Sequence, residues 1–209
     1  MKTVAKIQYI SNGNSTAEHI EAIHKACIAG AKWIQLRLKN KNTTVYLMAA
    51  KRAKEICDAY QAILIINDNP VVAKESGAAG VHLGQDDMSI LEARKIVGKD
   101  AIIGATANTW AQVEKLVKEP IDYIGFGPYR MTTTKKKLSP IVGLIGYQHL
   151  LFEMEKQGLN MPIIAIGGIE LVDISTLMMS GVHGIAIASL MNNAANKTLM
   201  YQAIEERIS

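Results

Sequence analysis

Eight short apolar runs, each followed by a longer amphipathic stretch, pattern this chain from end to end. The runs are Ala5–Ile10, Trp33–Leu38, Ile63–Ile66, Gly80–Leu83, Ile102–Ala105, Tyr123–Gly127, Ile163–Ile166 and Ile185–Ala188, each bounded by polar residues or glycine. Runs of this length read as strands, and the stretches between them as helices. Strand–helix alternation implies a parallel sheet. Eight such units predict an α/β protein with one domain, residues 1–209 forming a single (β/α)8 TIM barrel. On pattern alone, an open doubly wound sheet is the alternative.

The segments between the runs support this. Val45, Ala49, Ala53, Ile56 and Tyr60 recur every three or four residues and give one apolar helix face. Ser15 with Glu18, Ser89 with Glu92, and Thr109 with Gln112 have the spacing of capping boxes at helix starts. A weak repeat, Ala29–Ile34, Ser76–Val81 and Ser180–Ile185, places a glycine before three of the strands. Glycine suits a helix C-terminus because it tolerates positive φ.

Apolar residues make up 49% of the 209-residue chain and charged residues 20%, ordinary globular material with enough for a sizeable core. The net charge of +4 and pI near 9.0 favour anionic partners. Nucleic-acid stacking would need aromatics among the basic residues. The one dense basic run, Lys135–Lys137, has none, so nucleic acid is not expected as a partner. Cys27 and Cys57 are far apart in sequence and read as small buried hydrophobes of a reducing compartment. The N-terminus lacks a signal-like apolar region, and no apolar run approaches a membrane span of ~18 residues. The expected location is cytoplasmic, with no membrane partner. A homodimer is compatible with a barrel of this size.

In a parallel barrel the chemistry lies at the carboxyl ends of the strands. Gln35, Arg37 and Lys39 alternate at the end of the second run, so one strand face is expected to carry all three. Two fixed cations in a barrel with no edge call for anions, and a phosphate or diphosphate is the anion they fit. Asn67-Asp68 follow the third run, and Gln85, Asp86 and Asp87 the fourth. Asp68 and Asp87 are hard oxygen donors of the kind that hold Mg²⁺, although either alone also reads as a turn or helix cap. Thr106 follows the fifth run. The sixth leads into a loop with Thr132, Thr133, Thr134 and Lys135. Gly167-Gly168 follow the seventh, and Ala188-Ser189 end the eighth, where barrels frequently bind phosphate. His82 and His183 lie beside apolar runs and read as packing or supporting residues. Nucleotide-binding glycine loops and zinc motifs are absent from the sequence.

The ordered set QLRLK at Gln35–Lys39, IND at Ile66–Asp68, GVHLGQDD at Gly80–Asp87, GP…TTTK at Gly127–Lys135 and AIGGI at Ala165–Ile169 resembles the thiamine phosphate synthase family over nearly the whole chain. The resemblance implies a transferase of thiamine biosynthesis. It would condense hydroxymethylpyrimidine diphosphate with hydroxyethylthiazole phosphate, or its carboxylated form, and release diphosphate. It also implies site residues. Gln35, Leu36, Arg37, Leu38, Lys39, Asn67, Thr106 and Lys135 would hold the pyrimidine diphosphate, with Arg37, Lys39 and Lys135 as catalytic cations. Asp68 and Asp87 would bind Mg²⁺ as cofactor. Thr132, Thr133, Thr134, Gly168, Ala188 and Ser189 would bind the thiazole phosphate. Leu38 departs from an acidic residue common in the family, and Arg130-Met131 from an aromatic–Pro pair. Two other readings remain on sequence: a thiazole tautomerase-like paralogue and a non-catalytic thiazole-phosphate sensor.

Overall fold

The computed structural model describes residues 4–131 and 140–208. Eight parallel strands close in chain order: β1 Ile7–Ile10, β2 Trp33–Leu36, β3 Ile63–Asn67, β4 Gly80–Leu83, β5 Ile102–Ala107, β6 Tyr123–Phe126, β7 Ile163–Ile166 and β8 Gly184–Ile187. β8 pairs with β1 through Ile7–Tyr9 and Ile185–Ile187, so the sheet has no edge and the open-sheet alternative falls away. The helices among the described residues are α1 Thr16–Ile28, α2 Thr43–Ala59, α3 Pro70–Ser76, α4 Ile90–Val97, α5 Trp110–Leu116, α6 Gly143–Lys156, α7 Ile174–Met179, α8 Ser189–Asn192 and α9 Lys197–Ile208. Among the described residues, no helix is long and apolar enough to cross a membrane.

Period-two alternation divides the apolar side chains between two cores. Trp33, Ile65, Ile102, Tyr123, Ile164 and Ala186 pack together inside the barrel. Ile34, Leu36, Leu64, Ile66, Val81 and Ile103 lie on the other strand face and join the helices in a larger cluster. A narrow barrel fills its centre with a few bulky side chains only if others are small. A Cβ on Gly104 would fall inside the Tyr123 ring, and one on Gly125 would lie 3.1 Å from the His82 ring.

The helix ends follow local chemistry. Asn42, Asn69, Ser15, Ser89 and Thr109 each accept a backbone amide of the first turn. Of the three boxes the sequence predicts, Thr109–Gln112 alone forms the full reciprocal pair. At Ser15, Glu18 turns to the Asn14 amide instead, and at Ser89 the Glu92 carboxylate takes the serine hydroxyl. Gly30, Gly77 and Gly181 have positive φ, as the repeat predicts. The buried face of α2 uses Tyr46, Ala49, Ala53 and Ile56, with Tyr46 in place of the half-exposed Val45.

The second strand is shorter than its apolar run. β2 ends at Leu36, so Gln35 alone of Gln35, Arg37 and Lys39 lies in a strand. The expectation of three side chains on one strand face is corrected. Leu38 prolongs the apolar alternation because it stays 6% exposed under the helices, after the sheet hydrogen bonds have ended.

Candidate active site

The carboxyl ends of the strands open on a cavity of about 850 Å³. Arg37, Lys39, Asn67, Asp68, Asp87 and Thr106 line it. A smaller cavity adjoins, lined by Ser11, Ile166, Gly167, Gly168, Ala188 and Ser189. Asn12 and Arg37 belong to both walls, so the two cavities meet at these residues.

The chain positions Arg37 from below. Ser11, just past β1, accepts the Arg37 amide at 3.0 Å and lies 2.8 Å from His19 Nδ1. Burial lowers the His19 pKa from its ordinary value, and Arg37 adds to the effect against the Gly13 carbonyl. Burial likewise lowers the Arg37 pKa, partly offset by Asp68. Partial burial strengthens the attraction of such a cation for anions. Lys39 is exposed and reaches Asp68 Oδ2 at 3.1 Å. Gln35 is 2% exposed, and its Nε2 has no hydrogen-bond partner among the described residues. Leu36 and Leu38 turn their side chains into the helix-facing core, so their only contribution to the cavity is through backbone.

Tyr46 ties the rim together. Its hydroxyl lies 2.9 Å from the Leu36 carbonyl and 2.8 Å from that of Asn67, bridging the ends of β2 and β3. Tyr46→Phe should cost about 1–2 kcal/mol, because two buried carbonyls lose their donor. Urea unfolding checks this; an unchanged midpoint would show that water replaces the hydroxyl.

Asp68 follows β3 with φ of 66°, a left-handed backbone that few non-glycine residues adopt. Strain of this kind persists where surrounding structure imposes it, often at functional sites. Its amide donates to the His82 carbonyl at 2.8 Å. Asp87 accepts the Gly84 amide at 2.6 Å. Burial first, and the adjoining Asp68 carboxyl next, push Asp87 up to about 6. The folded state therefore holds the Asp87 proton more tightly than the unfolded chain, whose value is near 3.8. That contribution is present below about pH 4 and lost as pH rises through about 6. In chelator, wild type should lose thermal stability relative to Asp87→Asn over this window. A loss in the opposite direction would contradict the carboxylate pairing.

At the smaller cavity, Gly167 and Gly168 have φ of 90° and 69°. A Cβ on Gly168 would lie 2.9 Å from Arg130 Cβ, so only glycine lets the strand end pass under the β6 loop. Arg130 is held in a two-pronged pair with Asp173, which is 6% exposed, and its guanidinium lies over Tyr129. Ala188 and Ser189 enter α8, where the first helical amides have no partner within the helix. Thr132, Thr133, Thr134 and Lys135 lie outside the described residues.

Comparison with known proteins gives the family of this barrel. The sequence profile described as thiamine monophosphate synthase matches residues 7–191. This chain belongs to the thiamine monophosphate synthase family. Membership makes it a transferase. A thiamine-phosphate synthase of Flavobacterium johnsoniae is 45% identical over 203 residues, 97% of this chain and 96% of the relative. One of Phocaeicola vulgatus is 42% identical, covering 92% of each chain. The solved thiamine phosphate pyrophosphorylase of Pyrococcus furiosus superposes with a TM-score of 0.83 at 26% identity, over 97% of this chain and 95% of that one. A 3-hexulose-6-phosphate synthase reaches 0.70 at 13% identity, a likeness of fold alone.

The structure brings together Arg37, Lys39, Asn67, Asp68, Asp87 and Thr106 on one side of the family barrel, with Gly168, Ala188 and Ser189 on the other, while Gln35 is buried and lines neither cavity. Sequence reasoning missed Ser11, Asn12, His19, Tyr46 and Asn108. Ser11 and Asn12 directly follow the first run, so the strand-end rule would have found them. His19 and Tyr46 sit on helices within apolar faces and carry no such signal.

Proposed function

We propose that this chain makes thiamine phosphate from hydroxymethylpyrimidine diphosphate and hydroxyethylthiazole phosphate, or its carboxylated form, in an Mg²⁺-dependent reaction that releases diphosphate, with CO₂ from the carboxylated substrate. The observation that carries the reading is the junction of two cavities at Arg37. A condensation needs two anionic substrates side by side, with a cation between their charged groups.

The larger cavity suits the diphosphate. Arg37 and Lys39 supply fixed positive charge, and Asn67 supplies an amide beside them. As the C–O bond to the diphosphate breaks, negative charge grows on the leaving group. Fixed cations then stabilise the transition state more than the bound substrate. The thiazole nitrogen donates its electron pair to the pyrimidine methyl carbon, forming the new C–N bond. The smaller cavity would seat the thiazole phosphate on backbone amides near Gly168, Ala188 and Ser189.

The donor set fits Mg²⁺. Asp68 and Asp87 are hard oxygen ligands held close enough that one resists ionisation. Among the described residues no three His, Cys, Asp or Glu cluster, so Mg²⁺ would complete its shell with water and substrate oxygens. When bound it would neutralise charge on the leaving diphosphate. The protein's own residues bind, orient and screen the reacting pair.

Thiamine phosphate formation from the two purified substrates tests the reading. Isomerisation of the thiazole substrate without consumption of the pyrimidine diphosphate would overturn it in favour of a tautomerase. Binding of thiazole phosphate with no product would favour a sensor.

A further inference from the structure

A chain of polar side chains crosses the barrel interior beneath Thr106. Gln8 Nε2 donates to the Tyr123 hydroxyl at 3.2 Å. That hydroxyl lies 3.0 Å from His82 Nδ1, and His82 Nε2 lies 2.9 Å from Thr106 Oγ1. The four residues stand on β1, β6, β4 and β5, and only Thr106 and His82 reach the cavity wall. Tyr123 is fully buried, and Gln8, His82 and Thr106 are 2%, 8% and 7% exposed. The neighbouring interior positions hold Trp33, Ile65, Ile102 and Ile164. Filling that space needs no polar atoms, and burying polar groups costs free energy unless they are bonded.

The chain has a direction. Tyr123 already accepts from Gln8, and its own proton is cut off from water, so it needs an acceptor. His82 Nδ1 is the acceptor within reach. A neutral imidazole whose Nδ1 accepts carries its proton on Nε2. Nε2–H then donates to Thr106 Oγ1, and the Thr106 proton points away from the ring. Burial also drives the Tyr123 phenol well above its ordinary range, so it remains a donor.

We propose that Gln8, Tyr123 and His82 are positioning residues that hold the Thr106 hydroxyl as a hydrogen-bond donor toward an acceptor atom of the bound pyrimidine diphosphate. The substrate in this statement rests on the function proposed above, whereas the direction of the chain does not. A hydroxyl with a fixed proton need not reorient when substrate binds or reacts, and this is how preorganised donors lower barriers.

Two measurements test it. The first is ¹⁵N NMR of histidine-labelled protein without substrate, with His82 assigned through His82→Gln. Neutral Nε2–H imidazole is expected, shifting toward mixed tautomers in Tyr123→Phe. The Nδ1–H form in wild type would overturn the proposal whether or not the protein turns over. The second is a kinetic cycle on diphosphate release. His82→Leu should lower kcat/KM about 10²-fold, as small misplacements at a reacting centre do. His82→Gln restores an amide donor near Nε2 and should recover about tenfold of that loss. In a Thr106→Val background the two His82 variants should be equal. An undiminished effect of His82→Leu in that background would mean that His82 does not act through Thr106. Wild type that releases no diphosphate would defeat the function, and the NMR result would still decide the chain.

Discussion

Asp87→Ala should lower the rate of diphosphate release at least about 10²-fold, the scale on which electrostatic groups at a reacting centre act. It should leave the fold nearly untouched. Asp87 is exposed; its carboxyl accepts the Gly84 amide across a turn and adjoins the Asp68 carboxyl. Removing a turn bond of this kind costs about 1 kcal/mol, a shift in Tm of about 2–4 °C for a chain of this size. Added Mg²⁺ should raise the Tm of wild type and have less effect on the variant, because a ligand stabilises the state that binds it. Equal losses of activity and stability would return Asp87 to the turn-capping role that its neighbours Asp86 and Ser89 also suggest.

Gly104→Ala should be strongly destabilising. Gly104 lies opposite Tyr123 in the β5–β6 register, and an added methyl would occupy space the Tyr123 ring fills. The ring cannot swing away. It packs edge-on against Trp33 at 4.9 Å and is fully buried. Overpacking of a rigid core costs about 3 kcal/mol, or about 6–12 °C in Tm here. Thermal unfolding measures it directly. The displaced Tyr123 should also release His82, so activity should fall further than the loss of folded protein explains. A variant as stable as wild type would remove the Tyr123 ring from the barrel centre, and with it the Gln8–Tyr123–His82 chain.

The sequence disclosed the barrel because each strand is an apolar run ended by glycine or a polar residue, and closure needs only that eight such units repeat. It disclosed most of the site for the same reason. Asn67, Asp68, Asp87, Thr106, Gly168 and Ser189 all lie in the short polar or glycine-bearing segments that directly follow a run, and strand ends share one mouth. What it misplaced was the end of β2. Alternating burial continued through Leu38 while the hydrogen-bonded ladder stopped at Leu36, because the pattern records burial and not pairing. The capping signals show a similar limit. Ser15 and Ser89 have the spacing of Thr109, yet their glutamates find other donors. Least legible was the interior chain. Gln8 and Tyr123 are 115 residues apart, and each looks like an ordinary strand residue until the barrel closes.

In the proposed reaction two substrates meet at Arg37. Diphosphate release on mixing the purified protein with both substrates, with and without Mg²⁺, tests it most directly. Release is expected only when both substrates and Mg²⁺ are present, with thiamine phosphate formed in equal amount and Arg37→Ala inactive but folded. Release from the pyrimidine diphosphate alone at the same rate, or none from a folded protein that binds thiazole phosphate, would contradict it.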